Sequence, residues 1–340
     1  MKAGFYEGPG RFLIKDVPEP QLQAPDEVIV EVEVAGMCGT DLHIVSVPQM
    51  HPAKEGIVLG HEFVGRVVEA GKGVRGLSVG DRVIAGPNIW CGQCDACRRG
   101  RRKMCHHNEA MGISRDGGFA RYVRAPARVL YPVPRGLSPE LAVFAEPMSC
   151  LLNGFQRIGP VHGASVAVLG AGPIGLYFTR LFRHFGADRI YVTEPMAHRR
   201  EAALRSGADL AVDPKATPVV EALVSETRGG ADIVVDTAGF LLPDALAATR
   251  PGGTVLVFGM DTTCACTIRP FDIVRQEKSI VGCFIDNDMI PKCLDLIPHL
   301  RMEELISHRF ALEDIGQAFG VLERAEAIKA LVLPGSPPAA

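Results

Sequence analysis

The 340 residues, 47% hydrophobic and 22% charged with a formal charge of −3, suffice for two domains, each with its own core. This balance argues against a general polyanion binder, and the basic run from Arg98 to Lys103, which lies between two cysteines, reads as a solvated loop rather than a nucleic-acid surface. No stretch approaches the ~20 apolar residues of a membrane span, the N-terminus has no apolar signal centre, and the ten cysteines lack a paired disulfide framework, so a soluble protein of the reducing cytoplasm is expected.

Up to about Arg128 the apolar segments are short, β-branched and broken by glycine and proline: Glu27–Val34, Phe63–Ala70, Asp81–Ala85 and Ala120–Ala125. They predict an irregular all-β domain. Within it, Cys91, Cys94, Cys97 and Cys105 follow C-x2-C-x2-C-x7-C. Neither packing nor disulfide pairing requires three cysteines at three-residue intervals, whereas four thiolates close a tetrahedral structural zinc site with no open position. Residues 88–106 are therefore expected to form a metal lobe, and the chemistry must lie elsewhere. Ala145-Glu146-Pro147 opens a helix predicted over Pro147–Ile158.

From Gly163 the pattern becomes apolar strand, glycine turn and helix, with strands at Ser165–Gly170, Arg189–Glu194, Asp232–Thr237, Thr254–Gly259 and Ser279–Phe284. Such alternation implies a parallel, doubly wound sheet. Helical patterns at Met289–Leu300 and Glu313–Arg324 then lead to a last strand, Ala330–Leu333, suited to return to the first domain. The expected division is 1–150, 151–287 and a C-terminal segment 288–340.

The strand Val166–Leu169 runs into Gly170-Ala-Gly172-Pro173-Ile174-Gly175 and a helix, Leu176–Phe185. In that context the first glycine makes the turn, the second admits a pyrophosphate and the third lets the helix pack on the sheet, while the helix N-terminus offers N–H groups to the phosphates. Glu194, 19 residues beyond Gly175, suits a ribose diol and would repel a 2′-phosphate, favouring NAD over NADP. His198, Arg199 and Arg200 nearby suit a phosphate instead, or Arg199 stacks on adenine. Thr237, at the end of its strand, completes the cofactor set.

Three fragments remain. Cys38-Gly-Thr40-Asp41-Leu-His43 follows one strand, Gly60-His61-Glu62 precedes another, and Glu146 opens the helix. One thiolate, one imidazole and one or two carboxylates are the donor set of a catalytic zinc that keeps a position for water or substrate. Singly, each has a structural explanation; together, upstream of a dinucleotide fold, they point to catalysis.

Gly60-His61-Glu62-Phe63-Val64-Gly65, the four-cysteine lobe and the glycine turn occur in the order found in zinc-dependent medium-chain dehydrogenases, the alcohol dehydrogenase superfamily, which the chain resembles over nearly its whole length. Glu62, Ala145-Glu146-Pro147 and Phe271–Phe284 resemble its polyol (sorbitol-type) and threonine dehydrogenase branch. The resemblance implies a GroES-like irregular β-barrel catalytic domain beside a Rossmann domain, with two zinc ions per chain and a homodimer or homotetramer. It implies Cys38 and His61 as ligands of the catalytic zinc, with Glu62 and Glu146 each able to approach it, and Asp41 accepting a hydrogen bond from the other His61 nitrogen. Thr40 and His43, on one loop, would relay the alcohol proton by way of the nicotinamide ribose to solvent. The implied reaction transfers hydride from a secondary alcohol of a polyol, sugar, cyclitol or amino-polyol to NAD, giving a ketone. The alternatives are a threonine-type amino-alcohol dehydrogenase and a non-catalytic zinc- and NAD-binding descendant.

Where sorbitol-oxidising relatives carry arginine and tyrosine after the position of Phe284, this chain has Ile285-Asp286-Asn287-Asp288. The two carboxylates either pair with a substrate ammonium or cap the helix starting near Met289.

Overall fold

The computed structural model describes residues 1–217, 220, 221, 224, 227, 229–285 and 288–335. The chain divides into two units, Met1–Ser149 with Asp286–Ala340, and Cys150–Ile285.

The first unit opens with an antiparallel hairpin, β1 (Lys2–Gly8) and β2 (Arg11–Asp16). The sequence patterns did not indicate it, because the burial of β2 alternates only between exposed and half-buried and gives a weak period-two signal. Strand β3 (Glu27–Gly36) is followed by a short helix α1 (Gly39–Val45), then β4 (Ile57–Val58), β5 (Glu62–Ala70) and β6 (Arg82–Ala85). Strands β7 (Asn88–Ile89) and β8 (Glu109–Ala110) pair across the cysteine lobe, and β9 (Tyr122–Pro126) and β10 (Leu130–Pro132) complete this part. Eight of the ten β3 residues are buried, the exceptions being the half-buried Glu31 and Glu33, the alternation expected of a strand with one solvated face along its middle. Its last residue, Gly36, pairs in register with Glu62 at the start of β5. That register puts the segments after β3 and before β5, Cys38 and His61, at the same end of the sheet.

Helix α2 (Ala145–Phe155) begins two residues earlier than predicted, taking Glu146 into its first turn. The second unit is a six-stranded, wholly parallel sheet built from β11 (Ser165–Leu169), β12 (Arg189–Thr193), β13 (Leu210–Val212), β14 (Ala231–Asp236), β15 (Thr249–Val257) and β16 (Ser279–Gly282), in the order β13-β12-β11-β14-β15-β16. Numbered within the unit this is 3-2-1-4-5-6, the doubly wound Rossmann order, whose ligand crevice lies where the direction of winding reverses, beside β11. Val166, Ala167, Val168 and Leu169 are all fully buried, as a central parallel strand covered on both faces must be. Helix α3 (Pro173–His184) packs through an unbroken buried run, Gly175–Phe182. The Phe178 ring meets Phe258 edge to face at 5.0 Å between centroids, and burial of such a ring stabilises by ~1.5–3 kcal/mol.

The chain then returns to the first unit. A helix at Ile290–Leu296, extended by a 3-10 turn, occupies the region predicted as one helix over Met289–Leu300. Strand β17 (Ile306–Ala311) and the last strand, β18 (Lys329–Leu333), follow. The resulting sheet runs β10-β6-β5-β3-β18-β17, with β9 also paired to β3. Strand β18 lies against the end of β3, Leu331 opposite Gly36, so the first residue of the C-terminal strand reaches the same end of the sheet as Cys38 and His61. The fold is thus α/β, a Rossmann unit with an irregular β-barrel-like GroES-type unit.

Candidate zinc and dinucleotide sites

The lobe cysteines gather as their spacing predicts: one ligand atom from each of Cys91, Cys94, Cys97 and Cys105 lies within 4.8 Å of all the others. The Cys91–Cys105 and Cys94–Cys105 sulfur separations are 3.5 and 3.9 Å, against an edge of about 3.8 Å for a tetrahedron of zinc–sulfur bonds. Backbone N–H groups of Cys91, Cys94 and His107 point at these sulfurs at 3.3–3.4 Å. The Cys97 and His106 N–H groups bring the Cys94 thiol down to about 6. Burial, and then the neighbouring Cys94, push the Cys97 thiol up to about 12. Four thiols this close cannot all ionise without a cation among them, and the donor set fits zinc.

A second group, Cys38, His61 and Glu62, also has its ligand atoms within 4.8 Å of one another. Cys38 immediately precedes α1, which is a helix and not the predicted loop: Asp41 Oδ2 accepts from the Cys38 N–H at 2.9 Å and supplies the N-terminal capping that starts it. Thr40 and His43 therefore stand three residues apart on one helical face, both half-buried. Asp41 is fully buried, and its Oδ1 lies 3.4 Å from His61 Nδ1. That separation is an ion-pair approach rather than the expected hydrogen bond, since neither atom has a hydrogen-bond partner among the described residues. With Oδ2 tied to the Cys38 N–H, the carboxylate is held just short of the imidazole. Burial opposes a charged His61, but the Asp41 carboxylate and the Cys38 sulfur outweigh it and hold the ring well above its ordinary pKa. The surroundings thus favour positive charge at this point, which a divalent cation also supplies. Thiolate, imidazole and carboxylate fit zinc with one position left over.

Glu146 is buried, at 6% exposure, but is not a member of the three-residue group. Glu62 has a partner the sequence did not reveal: the ammonium of Lys329, from β18, bonds its Oε2, and both side chains are at most 3% exposed. No motif or spacing marks this lysine, which stands 267 residues away at the start of an apolar strand.

In the Rossmann unit the three glycines serve different needs. Gly170 adopts φ +100°, which side-chain-bearing residues avoid. A Cβ on Gly175 would collide with the Gly170 carbonyl oxygen, while one on Gly172 would meet only Arg199, at 3.9 Å. Gly172 thus leaves a cradle for a phosphate-sized group at the start of α3, and Gly175 is required for packing. Thr237 Oγ1 donates to the Leu169 carbonyl at 2.7 Å, bracing the turn from behind. Glu194 sits just past β12 at 5% exposure, its two oxygens accepting from the Ala171 and Met196 N–H groups at 2.9 and 3.0 Å. Arg200 donates to the Glu194 and Pro195 carbonyls and pairs with Asp213. Arg199 is half-buried beside Gly172, its Nε without a partner among the described residues. Burial lowers its pKa against the opposing charge of Glu194.

Asp288 does not cap the helix that follows. The residue before that helix is Met289, with no side-chain cap, and the Asp288 carboxylate instead pairs with Arg102 of the lobe at 3.2 Å. Asp286 and Asn287 lie outside the described residues.

Comparison with known proteins agrees with this geometry. Residues 24–135 match the alcohol dehydrogenase GroES-like domain and residues 173–298 the zinc-binding dehydrogenase family. The L-threonine 3-dehydrogenase of Pyrococcus horikoshii is 38% identical over 214 residues, a match spanning 62% of this chain and 60% of that enzyme. D-arabinitol dehydrogenase 1 of Uromyces fabae is 31% identical over 343 residues, 98% of this chain and 97% of that one. A solved structure from Sinorhizobium meliloti 1021, assigned as a zinc-binding dehydrogenase and bound to NADP, superposes with a TM-score of 0.93 at 36% identity, covering 98% and 99% of the two chains. The two family matches and the full-length relative together place the chain in the zinc-dependent medium-chain dehydrogenase family, in its polyol and threonine dehydrogenase branch.

Proposed function

We propose that the chain oxidises a secondary alcohol of a polyhydroxylated small molecule to a ketone, with hydride passing to NAD. The reading rests on the Cys38–His61–Glu62 group, whose donors leave a fourth tetrahedral position where the four-cysteine lobe leaves none. When bound there, zinc supplies a Lewis acid for the negative charge that develops on the alcohol oxygen. Cys38 and His61 would hold the ion, with a carboxylate, Glu62 or Glu146, as the third ligand. Asp41 orients the His61 ring from its Nδ1 side. Thr40 Oγ accepts the alcohol proton, and His43, one helical turn on, carries it to solvent. The alcohol carbon loses a hydride to NAD and its oxygen a proton to water, which balances the oxidation.

NAD is the proposed acceptor because Glu194 is pinned by two backbone N–H groups and cannot swing aside for a 2′-phosphate, while Arg200 is committed to Asp213. Arg199 is the group that favours NADP, as does the relative that binds it. The full-length similarity to an arabinitol dehydrogenase supports a polyol. Pairing of Asp288 with Arg102 removes one carboxylate from the case for an ammonium-bearing substrate. A threonine-type activity is the second reading, favoured by the 38% identity over 214 residues.

A panel of pentitols, hexitols, inositols, aminocyclitols, aldoses and threonine, run with each nucleotide, separates these readings. The expected result is turnover of polyols with kcat/KM for NAD about tenfold or more above that for NADP, the worth of one unfavourable charge contact. Activity on threonine alone would replace the substrate assignment, and an NADP preference would remove the role given to Glu194.

A further inference from the structure

We propose that Lys329 is a positioning residue for the catalytic metal: its ammonium holds the Glu62 carboxylate and thereby keeps the fourth coordination position exchangeable. The inference rests on the reading of Cys38 and His61 as ligands of a catalytic zinc.

Glu62 is the first residue of β5, and its carboxylate faces two cationic sites at once. One ligand oxygen lies within 4.8 Å of the Cys38 sulfur and a His61 ring nitrogen, while Oε2 bonds Lys329 Nζ. Both partners are buried, Glu62 at 1% and Lys329 at 3% exposure, so neither charge is screened by water and each needs the other. The backbone accommodates the pair specifically. Gly36, in register with Glu62, lies so near that a Cβ on it would collide with Glu62 Oε2 and come within 2.7 Å of Lys329 Nζ. The Phe144 ring also lies within cation–π reach, its centroid 5.7 Å from Lys329 Nζ.

A carboxylate that shares its charge with a buried ammonium is a weaker metal ligand than one whose only cation is the metal. With Lys329 in place, Glu62 can withdraw when Glu146 is the bound carboxylate, so that the fourth position stays open to the alcohol. Without Lys329, the buried carboxylate has the metal as its remaining counter-ion, stays bound beside Glu146 and closes that position.

The test uses the full-length protein with cobalt replacing zinc at the Cys38–His61 site, in four forms: wild type, Lys329→Met, Lys329→Arg and Glu62→Gln/Lys329→Met, with Glu62→Gln alone as reference. For Lys329→Met, chelator competition should show affinity at that site tightened by about 10- to 100-fold, the usual scale for residues behind metal ligands. Its visible cobalt spectrum should differ from wild type and should no longer respond to added alcohol. Lys329→Arg should retain the wild-type spectrum and affinity. Glu62→Gln and the double variant should bind cobalt alike, since Lys329 acts only through Glu62, and this comparison holds even if Lys329→Met does not fold. An unchanged spectrum and affinity in folded Lys329→Met, or a tenfold difference between Glu62→Gln and the double variant, overturns the proposal. A wild-type protein that takes metal only in the cysteine lobe overturns the underlying zinc reading instead, and this inference with it.

Discussion

Replacing Thr40 by valine is expected to lower kcat by about 10²- to 10³-fold, within the range ascribed to a positioned proton-transfer group, while the protein keeps its full metal content. Valine preserves the branched shape at a half-buried site in the first turn of α1, so packing changes little and the lost atom is the hydroxyl. The proton then has no acceptor between the substrate and His43, and the loss falls on kcat rather than on nucleotide KM. Steady-state kinetics with metal analysis on the same preparation checks this. Turnover within a few-fold of wild type would remove Thr40 from the relay and leave α1 as a scaffold for Cys38 and Asp41.

The second large effect is on stability. Cys97→Ser should empty the lobe of zinc and lower the unfolding free energy by about 3 kcal/mol or more, a drop in Tm of roughly 6–12 °C for a unit of this size. The lobe has little else to hold it: its paired strands β7 and β8 are two residues each, and its helical turn covers only Asp95–Arg98. Serine at 97 removes one thiolate and leaves the other three without a closed tetrahedron. Cys264→Ser, at an exposed thiol outside the metal groups, is the control and should melt with wild type. Scanning calorimetry of both variants, with and without chelator, distinguishes a metal effect from a packing effect. If chelator lowers the wild-type Tm by nothing measurable, the lobe is not a zinc site.

Features set by short-range pattern were legible in the sequence. The lobe spacing, the glycine turn and the strand-helix alternation each depend on residues near one another in the chain, and the structure places them accordingly. The segment with Thr40 and His43 is a helix rather than a loop: Gly39 weakens the helical pattern in the sequence, while the reciprocal Cys38–Asp41 capping starts the helix. Asp288 resembles a helix cap from its position and is an ion-pair partner of Arg102, 186 residues away. Lys329 is the clearest omission. Its significance arises only when β18 pairs with β3 and brings the lysine onto Glu62, a contact that hydrophobic periodicity does not encode. Buried charges paired across the fold are thus the part of such a site least visible in its sequence.

The most direct test is the zinc content of purified wild type and of a Cys38→Ser/His61→Ala variant. With two groups of metal donors among the described residues, the account predicts two zinc ions in the wild type and one in the folded variant, which retains the lobe and nucleotide binding but loses alcohol oxidation. One zinc ion in both proteins, with alcohol oxidation intact in the variant, would contradict it.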